Sequence, residues 1–260
     1  MSGVAGTAAA PPRRRARGSD HRTDQQPAFV LHSYPWRETS LILDVLTRDY
    51  GRTALVARGA KRPTSQFRGL LAPFSPLAVS WSGRAEIKTL VRVEWVGGLA
   101  PLRGDGLLNA FYCNELLVRL VARGDPHERL FFSYAQTLAE LSYDAPRRER
   151  ALRGFEIDLL REIGVAPSFE HASDGMPIDP ASWYRVDPEH GTIVAEPGAP
   201  SFEASHGVAG HSVRALAERD LAAIAESHDA RSLLQRLIRY HLRGKPLNTH
   251  RILSDLHRME

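Results

Sequence analysis

The run EIKTLVRVEWVGGLAPLRGDGLLNAFYCNELLVRLVARG, residues 86–124, changes its period halfway. Before Gly97 the side chains alternate. Ile87, Thr89, Val91, Val93 and Trp95 share one face, and Glu86, Lys88, Leu90, Arg92 and Glu94 share the other, with Leu90 as an apolar intruder. After Pro101 the apolar spacing becomes helical: Leu107, Leu108, Phe111, Leu116, Leu117, Leu120 and Val121 lie near one stripe, which Gly124 closes. A half-buried strand therefore gives way to an amphipathic helix across GGLAPLRGD, and the chain divides there.

Upstream, every segment from Pro27 reads as strand. AFVLHSY ends at Pro35, TSLILDVLTRD runs into the turn Asp49-Tyr50-Gly51, and RTALVARG follows. PLAVSWSG joins the quoted strand through Ser82-Gly83-Arg84. Five strands within residues 27–100, with no helix long enough to interrupt them, predict a small closed barrel. Downstream, HERLFFSYAQTLAELS and RRERALRGFEIDLLREIG continue the helical register. Leu130, Phe131, Tyr134, Leu138 and Leu141 face inward in the first, Leu152, Phe155, Leu159 and Ile163 in the second, and Gly164 caps the latter. Residues 166–212 are rich in Pro, Gly, Asp and Ser and read as a loop or β insertion. Helices resume over 213–227, 230–244 and 249–258. The expectation is a β + α protein: a basic tail without a core (1–26), a barrel domain (27–100) and a helical domain (101–260).

No apolar run is long enough to span a bilayer, and the start lacks the order of a signal peptide. Two readings stay open for the tail: weak added DNA affinity, or a start codon placed ahead of the native one. The single cysteine, Cys113, reads as a small buried hydrophobe and fits a reducing cytoplasm. Charge is segregated. Residues 25–100 carry ten Lys/Arg against five acids, whereas residues 101–260 carry nineteen against twenty-three. A cationic domain on a near-neutral chain points to a polyanionic partner.

No nucleophile elbow, phosphate-binding glycine loop or zinc-protease motif is present. The eleven histidines are scattered, and Glu156 and Asp158, two apart on a helix, face different ways. The chain reads as a non-enzyme without a cofactor. What it does offer is ALVARGAKRPTSQFRGLLAPF, residues 54–74, where a strand opens into a loop with four cations and no acid. A barrel face flanked by such a loop suits a nucleic-acid strand, with cations tracking phosphates and aromatics stacking on bases. The candidate contacts are Arg37, Arg58, Lys61, Arg62, Arg68, Arg84, Lys88 and Arg92, interleaved with Trp36, Phe67 and Trp81. An RNA-binding barrel protein and a protein adaptor remain as alternatives.

AFVLHSYPWRETSLILDVLT, GRTALVARGAKR, LLAPFSPL, GRAEIKTL, NELLVRL, FFSYAQTLAEL, ALRGFEIDLLREIG and LRGKPLNTHRIL together resemble the RecO family of bacterial recombination mediators, over residues 27–260. The resemblance implies an N-terminal OB-fold, binding of single- and double-stranded DNA and annealing of complementary strands in recombinational repair. It also implies a cytoplasmic, nucleoid-associated protein. The implied partners are RecR, RecA as a functional link in its loading, and the single-stranded DNA-binding protein SSB through its acidic C-terminal tail. For that tail the third helix offers Arg153 beside Leu152, Phe155 and Leu159. Many members of the family carry four cysteines in the insertion, spaced for zinc. This chain has none there, and His171 alone cannot close a tetrahedral site, so no zinc is expected and the insertion is expected to pack around Trp183, Tyr184 and Ile193.

Overall fold

The computed structural model describes residues 22–194 and 207–249. The first 21 residues of the expected tail lie outside them, as does nearly all of the expected helix 249–258. Five strands, β1 (Arg22–Trp36), β2 (Ser40–Thr47), β3 (Gly51–Ala57), β4 (Leu77–Ser82) and β5 (Ile87–Trp95), close into a barrel of order β1-β2-β3-β5-β4. The β3–β5 pair is parallel and the other pairs are antiparallel, which is the arrangement of an OB-fold.

β1 starts five residues earlier than the sequence pattern suggested. Its second half pairs with β2 and its first half, Arg22 to Ala28, pairs with β4. Residues 22–26 carry no apolar period, but they cover an edge of β4 that would otherwise stay open. The register shifts between Thr23 and Gln26, where Gln25 adopts φ 52°, and such a bulge bends one strand around two partners.

A second bulge corrects the reading of β5. Leu90 pairs with Trp81 and Val93 with Val79, but the register slips between them. Leu90 and Val93 are therefore both buried although they sit three residues apart. The intruder of the alternating pattern is a core residue, and Ile87 and Trp95 are left outside.

The helical body follows: α1 (Gly104–Leu120), α2 (Glu128–Glu140) and α3 (Ala145–Glu162), then a small sheet of β6 (Trp183–Asp187), β7 (Gly191–Val194) and β8 (Val208–Ala209), then α4 (Gly210–Glu218), α5 (Leu221–Glu226) and α6 (His228–His241). The inward residues expected on α2 are all buried. On α1 the buried face is Ala110, Cys113, Leu116 and Leu117, and Phe111 is exposed. The continuous helix expected over 213–227 is two. Arg219 turns left-handed at φ 57° and Asp220 caps the next helix by accepting from the Ala222 and Ala223 amides at 3.1 Å.

The insertion is centred on Tyr184, whose hydroxyl accepts from the Asp179 amide at 2.7 Å, and on buried Val186. Trp183 is exposed and Ile193 only half-buried, so the expected packing core holds at Tyr184 alone. Polar residues complete it: Thr192 donates to the Ser168 carbonyl at 2.6 Å and Ser173 to the His190 carbonyl at 2.6 Å. Asp174, Asp179 and Asp187 each accept from backbone amides two or three residues on, and no group of three or more His, Cys, Asp or Glu converges among the described residues. No described helix is long and apolar enough to cross a membrane.

Barrel and helices share a core. Phe29 of β1 meets Phe131 and Tyr134 of α2 at ring separations of 5.4 and 5.2 Å, and Leu31 and Leu46 join the same cluster. Asn114 donates to the Leu31 carbonyl at 2.9 Å. At the β2–β3 turn, Gly51 has φ 61° and a Cβ there would lie 1.9 Å from the Asp125 carbonyl oxygen, so only glycine lets the two bodies touch.

Candidate nucleic-acid interface

The cationic loop is a folded object. Its backbone closes successive turns, Arg62 N to Gly59 O, Ser65 N to Arg62 O and Arg68 N to Ser65 O, at 3.0–3.2 Å. Phe67 anchors it in the barrel core at 6% exposure, and the Gln66 side chain reaches the Val91 carbonyl. The loop is also tied to the β1–β2 turn: the Lys61 amide donates to the Thr39 carbonyl at 2.9 Å and the Gly59 amide to the Ser40 hydroxyl at 3.3 Å. With the backbone and Phe67 fixed inward, the charged side chains of Arg58, Lys61, Arg62 and Arg68 are left in solvent.

Between this loop, the β1–β2 turn and the start of β5 lies a groove of about 870 Å³. Trp36, Arg37, Arg58 and Arg62 line it together with Ile87 and Thr89 of β5. Trp36 is 44% exposed, and the Arg37 guanidinium stands 5.9 Å from its ring. Arg37 holds φ 51°, which turns the chain between β1 and β2. One acid, Glu38, shares the groove.

Three of the eight expected cations thus converge. Lys61 and Arg68 extend the same loop, Arg84 sits at the β4–β5 turn, and Lys88 shares the inward side of β5 with Leu90 near the barrel mouth. Arg92 is taken up by Glu94 in an ion pair. The other seven have no carboxylate partner among the described residues. The barrel's cations outside the expected set are spent on structure. Arg48 pairs with Asp49 at 2.6 Å. Arg52 pairs with buried Asp44 at 3.4 Å and donates to the Val118 and Leu117 carbonyls of α1, fastening barrel to helices. Of the interleaved aromatics only Trp36 is available to a base. Phe67 is the loop anchor, and Trp81, 1% exposed, fills the barrel. Exposed Ile87 was missed because the β5 bulge is invisible in the spacing.

The residues expected to receive an acidic tail are placed otherwise. Leu152, Phe155 and Leu159 belong to the core, and Arg153 is 5% exposed. Its guanidinium bonds Glu156 at 2.6 Å and approaches Glu149 at 3.2 Å. Glu156 is fully buried and accepts from the Tyr112 hydroxyl at 2.7 Å. Burial pushes the Glu156 carboxyl above its usual range, although Arg153 and the Tyr112 hydroxyl hold it down. This cluster is an internal ion pair, and it closes Arg153 to any docking peptide. The outer side of the same helix presents a different pocket, of about 230 Å³, where Arg147, Arg150 and Arg219 rim Ala151, Phe155 and Leu221. Arg219 is held there by Asp158 at 2.6 Å.

Comparison with known proteins matches both halves of this architecture. The family described as Recombination protein O N terminal matches residues 22–99, starting where β1 starts, and that described as Recombination protein O C terminal matches residues 103–251. The chain is 50% identical over 256 residues to the DNA repair protein RecO of Ralstonia nicotianae, covering 98% of this chain and 93% of that protein. It is 48% identical to the protein of the same name from Burkholderia pseudomallei, covering 94% and 88%. It is 44% identical to that of Dechloromonas aromatica, covering 90% and 97%.

Proposed function

This chain belongs to the RecO family, and on that premise we propose that it is a DNA repair protein that binds DNA through the barrel groove and anneals complementary strands. The observation that carries the reading is the set of cations Arg37, Arg58 and Arg62, without a carboxylate partner among the described residues, gathered around exposed Trp36 in one groove. Guanidinium groups there neutralise phosphates without reading sequence, and the indole offers a stacking face that accepts any base. Neutralising two strands lowers their repulsion, so pairing needs no nucleotide hydrolysis and no catalytic group.

The same reading extends to partners. The protein works with RecR and helps load RecA onto strands coated by SSB. The acidic tail of SSB docks in the pocket beside α3, where Arg150 has no carboxylate partner among the described residues, Arg147 and Arg219 stand paired with Glu140 and Asp158, and Ala151 and Leu221 supply apolar wall.

The test is annealing of two complementary labelled oligonucleotides, bare and SSB-coated, across a salt series. Acceleration of both that fades with salt is expected. Acceleration of bare strands alone removes the tail pocket from the scheme. No acceleration at low salt, with folded protein, refutes the DNA reading.

A further inference from the structure

The motif LRGKPLNT is not used by the barrel groove. It begins where α6 ends, in a left-handed turn: Arg243 has φ 54°, the Gly244 amide donates to the Arg239 carbonyl at 3.1 Å and the Lys245 amide to the Leu242 carbonyl at 3.1 Å. This geometry leaves Arg239, Tyr240, Arg243 and Lys245 exposed beside one another. Residues 236, 239 and 240 follow helical spacing and share one face, and Arg243 lines the same groove from the turn beyond the helix.

Two grooves meet on that face, at His241 and Arg243. One, of about 730 Å³, runs from Arg119 at the end of α1 past Val165 to Lys245. The other, of about 710 Å³, runs along Arg236, Arg239 and Tyr240. Among the described residues no acid lines either groove, in contrast to Glu38 in the barrel groove and Glu140 in the pocket beside α3, while at their margins Glu115 pairs with Arg119 and Glu189 accepts from the Tyr240 hydroxyl. Among the described residues Arg239, Arg243 and Lys245 have no carboxylate partner. Cations at a helix C-terminus offset the helix dipole, but that effect fades beyond the last turn, where Arg243 and Lys245 stand. General basicity does not explain them either, because residues 101–260 carry an excess of acids.

We infer that this face, built on Arg239, Arg243 and Lys245, is a second single-strand binding site, and that it holds the second strand during annealing. The inference rests on the DNA-binding reading of the barrel. Its groove starts at the junction of the two bodies: Val118, whose carbonyl receives Arg52 of the barrel, adjoins Arg119. A strand held in the barrel groove and another held here are confined to one molecule. Pairing is then governed by an effective concentration and no longer by encounter from bulk.

The experiment uses the full chain and the variant Arg239→Ala/Arg243→Ala/Lys245→Ala. A short labelled oligothymidylate, which cannot pair with itself, is titrated at low salt. The wild type is expected to bind a second oligonucleotide per chain. The variant is expected to bind only the first, with affinity within about twofold of wild type, and to anneal complementary strands at least about tenfold more slowly. A wild type that takes up one oligonucleotide only, or a variant that anneals as fast as wild type, overturns the inference and leaves the barrel site standing. A wild type that binds none refutes the DNA reading itself. Should the variant misfold, photocrosslinking of an excess of 5-iodouridine oligonucleotide to the wild type decides. Adducts at Tyr240 or its neighbours are expected, and their absence from residues 236–245 overturns the site.

Discussion

Arg37, Arg58 and Arg62 on one hand and Trp36 on the other should act on DNA affinity in ways that separate cleanly. Each phosphate neutralised on a single strand contributes about −0.7 to the slope of log K against log salt. Replacing the three arginines of the groove by alanine should therefore flatten the slope by about 2. Between roughly 50 and 200 mM salt that difference amounts to about 20-fold, so the wild type loses some 20-fold more affinity than the variant over the range. Trp36 carries no charge, and its stacking is worth ~1–3 kcal/mol per base, or roughly 5- to 150-fold. Trp36→Ala should lower affinity by such a factor at every salt concentration and leave the slope alone. Fluorescence anisotropy of a labelled oligothymidylate at five or six salt concentrations reads both quantities. If the arginine variant keeps the wild-type slope, those side chains do not meet phosphates. If Trp36→Ala binds like wild type, or changes the slope, the indole is no stacking platform.

Three further outcomes follow from the packing. Gly51→Ala puts a methyl against the Asp125 carbonyl at φ 61°, and should cost more than about 2 kcal/mol in urea unfolding, because strain and a displaced α1–α2 turn add. Arg153→Ala strands the Glu156 carboxylate in the core and should destabilise by ~3–5 kcal/mol, whereas Arg153→Met/Glu156→Leu should come close to wild type in the same assay. Equal loss in both variants would remove the ion-pair explanation. Burial pushes the Glu115 carboxyl up, but the amides of Thr249 and Asn248, the Thr249 hydroxyl and Arg119 outweigh it and hold it below its usual value. A lowered pKa means the contribution is whole above the unfolded value and fades as pH drops through the folded one. The protection factors of the Asn248 and Thr249 amides, taken against intrinsic exchange at each pH, should stay high near pH 6 and fall below pH ~4.5; protection factors unchanged down to pH ~3 would disprove the carboxylate tie.

The barrel and the helices were legible because burial repeats. The stripe of α2 carries a 3.6-residue period that the sequence displays in full, and the strands of residues 27–96 show as runs of apolar β-formers between turn signals. The cationic loop was legible as well, since Arg58, Lys61, Arg62 and Arg68 lie within one short stretch. The role of Arg153 was not. Its neighbours Leu152 and Phe155 made it look like the rim of a pocket, and only the approach of Tyr112 from α1 turns that helix face into core.

By itself, then, the sequence determined the order of strands and helices, the loop that gathers the charge and the resemblance to a repair family, because all three are written in local spacing and composition. Tertiary structure alone decided which cations are free. Arg52 and Arg92 look like Arg58 and Arg62 in the chain, but Asp44 and Glu94 come to meet the first two. An ion pair depends on where two distant backbones meet, and β bulges, strand register and helix packing set that meeting without leaving a period to read.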